Sequence, residues 1–476
     1  MARPAAEVVW GVLLCALLAG MVAAQGPAAS AAGVTAVRGA FLDYLDDPFY
    51  VDENSSVRWV PDGLLVIAKN GTILAFGPYA EVSPKFPGVP TTAYKEGNVI
   101  MPGFIDTHVH YVQSRVTGAY GLHKPEWLQA YIFPEEIKCK NASYARTVAN
   151  WFLDEMLRAG TTTVQSFTMT ARIATDVFFE EAAKRNMRVI AGVTGVDRPG
   201  EGPPGYTDTA AQFERDSVAM YNKWHGKGRA LYAVTPRYAP GVTNALLAKA
   251  GHLFKTLPGV YMNTHLAEVT ADVETVKKLF PNATDYYNVF EMHGLVGPRT
   301  TFGHSIYLSP SEFERMSKQG SGISFCPASN LFLGSGLFKL ATAKGTKTPV
   351  RVGLGTDMAG GDYFSQLKVL NNGYKVAMLQ NYPVSGLKLL FLPTLGAARA
   401  LYLDDRLGSF TPGREADFVV LNATGTRELA FRANGNVTIG TDRDRLEFLM
   451  FGVAVLGDER VVAATYVAGK RLYSAA

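Results

Sequence analysis

Four of the eight histidines in this chain stand where short apolar runs end. His108 and His110 are two residues apart, in Asp106-Thr107-His108-Val109-His110. In extended backbone, residues two apart project to the same side, so both imidazoles can reach one ion. His265 closes a run at 260–265, His304 closes one at 300–304, and Asp357 follows a run at 350–356. Imidazole nitrogens with one carboxylate suit Zn²⁺. The expected cofactor is therefore one zinc ion per chain, held by His108, His110, His265 and Asp357. His304 is either a weak ligand or a residue that orients the attacking oxygen from behind the ligands. Zinc at such a site lowers the pKa of a water toward neutrality. Asp357 can take the water proton, and Glu268, three residues after His265, can pass a proton to a leaving nitrogen. Taken singly, each histidine is as readily a core or surface residue, and Glu268 a helix N-terminal carboxylate. Their shared placement at run ends carries the reading. The other histidines, His123, His225, His252 and His293, fall in loop or helical contexts and are read as structural.

Those run ends must be brought to one rim. The middle of the chain alternates short apolar runs with helical stretches, the pattern of a parallel sheet or barrel. Strands are predicted at 99–108, 161–167, 188–193, 231–235, 260–265, 300–304, 322–326 and 350–356, with helices including 144–159 and 272–280. Eight strands close a barrel in the commonest geometry, and barrel active sites gather at the C-terminal strand ends. An open dinucleotide-binding sheet would want a glycine-rich turn after its first strand, where this chain has Asp106-Thr107-His108.

A barrel of ~250 residues leaves much of a 476-residue chain over. The runs 64–68 and 72–76 flank Lys69-Asn70-Gly71, a hairpin signal, and 416–421 and 463–467 read as strands near the other end. The expected class is α/β: a (β/α)₈ barrel at 99–403, with a small β-sandwich domain built from both chain ends, 34–98 and 404–476. Residues 1–24 read as a secretory signal, with Arg3 before the apolar run 8–19 and small residues up to Ala24. Residues 25–33 read as a disordered linker. Beyond them the chain carries six Asn-x-Ser/Thr triplets, at Asn54, Asn70, Asn141, Asn282, Asn422 and Asn436. With the leader they point to a secreted or vesicular glycoprotein with no stable membrane association after cleavage. The net charge of +4 carries no long basic run, so nucleic acid is not an indicated partner. Of three cysteines, Cys15 lies in the leader, and nothing in the spacing pairs Cys139 with Cys326.

The stretch Pro102-Gly103-Phe104-Ile105-Asp106-Thr107-His108-Val109-His110 resembles the first-strand signature of the amidohydrolase superfamily. Within it the chain is similar to the mononuclear zinc branch, and most like the guanine deaminase family. His108-Val109-His110-Tyr111-Val112-Gln113 resembles that family's metal pair and substrate-binding glutamine. Glu126-Trp127-Leu128 leading to Phe133-Pro134-Glu135 resembles a family-specific loop. Thr235-Pro236-Arg237-Tyr238 is similar to the arginine and aromatic that contact guanine, and His265-Leu266-Ala267-Glu268 to the ligand and proton shuttle. Cys326-Pro327-Ala328-Ser329-Asn330 resembles the seventh strand end. The resemblance implies guanine as the small-molecule substrate, converted to xanthine with release of ammonia. It implies Gln113, Arg237, Tyr238, Glu268 and His265 as substrate contacts, and a homodimer. Without it, Arg237 would be a salt-bridge residue and Gln113 a surface amide. A guanidinium fork suits a ring carbonyl, and an amide suits an edge of mixed donors and acceptors.

The leader departs from the family, which is typically intracellular. The His-x-Glu and Pro-Cys-x-x-Cys pattern of the nucleic-acid zinc deaminases is absent. Two alternatives stand beside guanine deamination. One is a related aminohydrolase acting on another purine, a pterin or a triazine. The other is an inactive extracellular binding protein on the same scaffold.

Overall fold

A computed structural model describes residues 33–120, 123–434 and 440–475. The expected leader, all but the last residue of the linker, and Asn436 lie outside the described residues. Eight parallel strands succeed one another around a barrel: Phe104–His110, Thr161–Phe167, Arg188–Gly192, Ala230–Pro236, Tyr261–Leu266, Thr300–His304, Gly322–Phe325 and Arg351–Leu354. Each hydrogen-bonds to the next in the series. The backbone just past the eighth strand returns to the first, where Asp357 N donates to the His108 carbonyl at 2.9 Å. The (β/α)₈ expectation holds, and seven of the eight expected strands are found within two residues of their bounds.

The first differs. The run 99–108 is two strands in two sheets. Asn98–Pro102 pairs with Thr35–Tyr44 and with Phe418–Asn422 of the small domain, and only Phe104–His110 is in the barrel. The break is at Gly103. A Cβ there would meet Thr162 Oγ1 at 2.4 Å, so the two sheets approach too closely for a side chain. The small sheet thus reaches Pro102, beyond the boundary expected at residue 98.

Strands from both chain ends form one mixed eight-stranded sheet. The expected hairpin pairs Val57–Ile67 with Ile73–Pro78, and the last hairpin pairs Val462–Val467 with Lys470–Ser474. Val37, Phe41, Leu65 and Ile73 share a buried core with Phe410, Phe418, Val420 and Tyr466, so the two ends close over one another. The other face, through Leu42, Met101, Val419 and Leu421, belongs to the main barrel core. The C-terminal segment also carries helices Arg427–Ala433 and Asp442–Leu456, the second packed on the barrel helix Gln366–Leu379. The helix expected at 144–159 runs from Ala142 to Arg158, with Asn141 capping its N-terminus, and it buries Val148, Phe152 and Met156. The one expected at 272–280 is Thr270–Leu279. Cys139 and Cys326 are free and buried. Among the described residues, no helix is long and apolar enough to cross a membrane.

Candidate active site

The C-terminal ends of the barrel strands converge on a group of imidazoles around Asp357. One donor atom each from His108, His265, His304 and Asp357 lies within 4.8 Å of the others. His108 Nε2 is 3.5 Å, and His110 Nε2 3.4 Å, from Asp357 Oδ1. His304 Nε2 is 3.7 Å from Oδ2, and His110 Nε2 is 3.1 Å from His265 Nε2. All five residues are buried. Two backbones here are left-handed, His304 at φ 63° and Asp357 at φ 46°. Side chains are thereby aimed at the centre from positions where an ordinary strand end would not point them.

The donor chemistry fits a cation. His265 Nδ1 lies 2.7 Å from the Arg237 carbonyl. A carbonyl only accepts, so Nδ1 carries the proton and Nε2 offers a lone pair. His304 Nδ1 faces Asn330 Oδ1 at 2.9 Å, which likewise leaves Nε2 unprotonated. The Nε2 atoms of His108 and His304 are buried with no hydrogen-bond partner among the described residues. Burial holds His110 and His265 well below the ordinary histidine pKa, in the neutral form that binds metal. Burial opposes ionisation of Asp357, but the facing His108 side chain outweighs it and holds the carboxyl below its usual range. Ligands about 2.1 Å from one tetrahedral ion stand roughly 3.4 Å apart, close to the separations seen here. The cluster is a single zinc site. Room for it depends on Gly303 and Gly355: a Cβ on the first would lie 2.5 Å from His108 Cε1, and on the second 2.8 Å from His108 Cβ. Asp106 locks the first strand to the eighth, accepting from the Thr356 hydroxyl and from the backbone of His108 and Thr356. Burial pushes its carboxyl up to about 7.

Beside the cluster opens a cavity lined by polar and apolar side chains. His110, His265, His304 and Asp357 line one side, and Gln113, Lys124, Arg237, Tyr238 and Glu268 complete the polar lining. Trp127, Leu128 and Leu333 supply apolar wall. Every site residue expected from sequence therefore borders this cavity or, for His108, the metal cluster beneath it. Glu268 Oε2 lies 3.6 Å from His304 Nε2 and 2.6 Å from Lys124 Nζ. Burial opposes its ionisation, while the Lys124 ammonium favours it, and its pKa is lowered. The Tyr238 hydroxyl donates to Glu201 at 2.6 Å, which fixes its ring at the wall.

Residues 99–472 match the amidohydrolase family. The chain belongs to the amidohydrolase family. It is 40% identical over 441 residues to guanine deaminase of Escherichia coli strain K12, covering 92% of this chain and 97% of that protein. Its fold superposes on a crystal structure of guanine deaminase from Bradyrhizobium japonicum with a TM-score of 0.89 and 42% identity, over 93% of this chain and 100% of that one. An atrazine chlorohydrolase from Arthrobacter aurescens TC1 shares the fold at TM-score 0.75 and 20% identity, over 92% and 95% of the two chains. Amidohydrolase architecture alone thus leaves the substrate open, and the pocket must decide it.

Sequence reasoning missed two buried charges of this amidohydrolase pocket. Lys124 bridges Glu268 and Asp272, at 2.6 Å from each. Glu136 accepts from Gln113 Nε2 at 2.6 Å and from Arg237 Nη1 at 3.0 Å. The segment expected as a loop from Glu126 to Glu135 is helical: Lys124–Trp127, a π-turn at Leu128–Ile132, then Phe133–Glu136. The inserted residue of such a turn rotates the helix beyond it, and π-turns concentrate at functional sites. Glu135 faces away, to Lys138 and the Tyr144 hydroxyl. Its neighbour Glu136 is the one that reaches the pocket lining, a difference that motif spacing alone does not reveal.

Proposed function

We propose that the chain hydrolyses guanine to xanthine and ammonia. One observation carries this: Gln113 and Arg237 line the same cavity as the zinc cluster. A flat ring held by an amide and a guanidinium is thereby set against the hydrolytic centre. Bound by His108, His110, His265 and Asp357, with His304 beside them, zinc would supply a Lewis acid that brings a water's pKa toward neutrality. The chain's own residues do the rest. Arg237 donates to the ring carbonyl, and Gln113 accepts from the adjacent ring N–H. Trp127 and Leu128 exclude solvent. Asp357 is ionised and takes the proton of the attacking water. Glu268 carries a proton to the exocyclic nitrogen, without which ammonia cannot leave. His304, between Asp357 and Glu268, orients the oxygen. The bond broken is ring carbon to amino nitrogen, and the bond formed is ring carbon to water oxygen.

Zinc-replete protein incubated with guanine is expected to form xanthine and ammonia in equal amounts, with adenine, cytosine and a pterin turned over far less. His265→Ala should lose zinc. Glu268→Gln should keep zinc and lose turnover by about 10²–10⁴-fold. Normal turnover in Glu268→Gln removes its assigned role, and better turnover of a pterin reassigns the substrate. A pure, folded protein without bound transition metal and without activity would make it a binding scaffold.

We further propose secretion after leader cleavage, with N-glycosylation, and a homodimer. The exposed positions of Asn54, Asn70, Asn141 and Asn282 support glycan attachment. The test is a glycosidase-sensitive mass shift in protein recovered from the medium of expressing eukaryotic cells. Light scattering on the same sample reads the dimer.

A further inference from the structure

Glu136 is fully buried and makes no contact with the metal cluster, yet three groups around the substrate pocket converge on it. Gln113 Nε2 lies 2.6 Å from Oε1. Arg237 Nη1 lies 3.0 Å from both carboxylate oxygens. The Tyr206 hydroxyl donates to Oε2 and accepts from Arg237 Nη1 at 3.1 Å. An ionised carboxylate can only accept. The Gln113 atom against it must therefore be the amide nitrogen, and Oε1 is the end left for a ligand. Arg237 has spent Nη1, and its Nε and Nη2 have no protein acceptor among the described residues. The polar edge of the pocket is thus written in one direction: an acceptor on Gln113 and donors on Arg237.

We infer that Glu136 is a specificity-determining positioning residue, which fixes the donor–acceptor polarity with which Gln113 and Arg237 read the substrate ring. The inference rests on the proposed guanine activity and deepens it. A lactam edge, N–H beside C=O as in guanine, complements this arrangement. An amidine edge, a bare ring nitrogen beside C–NH₂ as in 2,6-diaminopurine, presents the opposite pattern, although it carries the same reactive 2-amino group. Without the carboxylate, the Gln113 amide is free to turn over, and its reversed form donates to the bare ring nitrogen of the second edge, which the unturned form cannot do. A site built to meet one pattern rejects the other strongly, because the wrong ring leaves buried groups unpaired.

The experiment compares guanine with 2,6-diaminopurine, followed by ammonia release, in zinc-replete wild type, Glu136→Gln and Tyr206→Phe. Wild type is expected to prefer guanine. In Glu136→Gln the KM for guanine should rise roughly tenfold to a hundredfold, a larger change than that in kcat. Its preference over 2,6-diaminopurine should fall by at least tenfold, with zinc content unchanged. Tyr206→Phe removes a single hydroxyl from the same carboxylate and should move both quantities the same way, by less. It decides the matter if Glu136→Gln does not fold. Unchanged KM and unchanged preference in a folded, zinc-replete variant overturn the inference. So does a wild type that turns over guanine and 2,6-diaminopurine alike. A wild type inactive on guanine defeats the functional reading instead.

Discussion

The histidines and Asp357 were legible because metal ligands must occupy strand ends, and strand ends show in the pattern of apolar runs. Glu136 and Lys124 were not, because a single charge on a short helix reads as solvated face unless its neighbours are known. Gly303 belongs to the same hidden class. It occupies the sixth strand one residue before His304, and nothing in its local sequence distinguishes it from any strand glycine. In space it is the floor under the His108 ring, with a Cβ position 2.5 Å from Cε1. Neither partner can yield easily, since the ring is packed edge-on to Phe167 and beside His265 and His304. Gly303→Ala is therefore expected to tilt His108 out of the ligand set and weaken zinc affinity by about 10–100-fold. Competition against a chelator measures this. Wild-type affinity in the alanine variant would show that the ring has slack the packing does not suggest.

At the level of elements, period and length located the barrel strands and the two terminal hairpins, because these depend on local alternation and turn chemistry. The run 99–108 misled for a physical reason: a strand buried on both faces has no alternation, so two such strands in succession read as one. Only tertiary approach separates them. Gly103 sits at that junction, its amide donating to the Asp417 carbonyl at 3.0 Å while Phe104 N donates to Gly160 O. Gly103→Ala would press a methyl against Thr162, which is buried in the second barrel strand. The expected cost is about 1–3 kcal/mol, the range of overpacked cores. Urea denaturation would measure it. Adding Thr162→Ala to the same chain should restore part of the loss, since the two closest atoms belong to the hydroxyl and methyl that alanine lacks. No recovery would mean that the backbone, and not this contact, resists the substitution.

For the whole molecule, the question is what binds the small sheet to the barrel floor, since the two are made from interleaved parts of one chain. Part of the answer is ionic. Arg188 and Arg229, at the starts of the third and fourth barrel strands, both meet Glu415, and Arg229 also meets Asp417 at 2.6 Å. The arginines are almost wholly buried, with side-chain exposures of 2% and 8%, whereas Glu415 keeps 21%. Burial opposes ionisation of Glu415, but Arg229 and Arg188 outweigh it and lower its pKa below the ordinary 4.5. A carboxylate with a depressed folded-state pKa contributes fully above its unfolded pKa, and the contribution disappears as pH falls through the folded value. Glu415→Gln leaves Arg188 buried without its partner and should destabilise the fold by about 3 kcal/mol at pH 7. Between pH 4.5 and pH 7 that difference from wild type should stay constant. Below pH 4.5 it should shrink as the wild-type carboxyl takes up its proton. Urea midpoints for both proteins across this range check the sign as well as the size. A difference that grows toward acid pH would mean that burial outweighs the two arginines and raises the pKa of Glu415 in the fold.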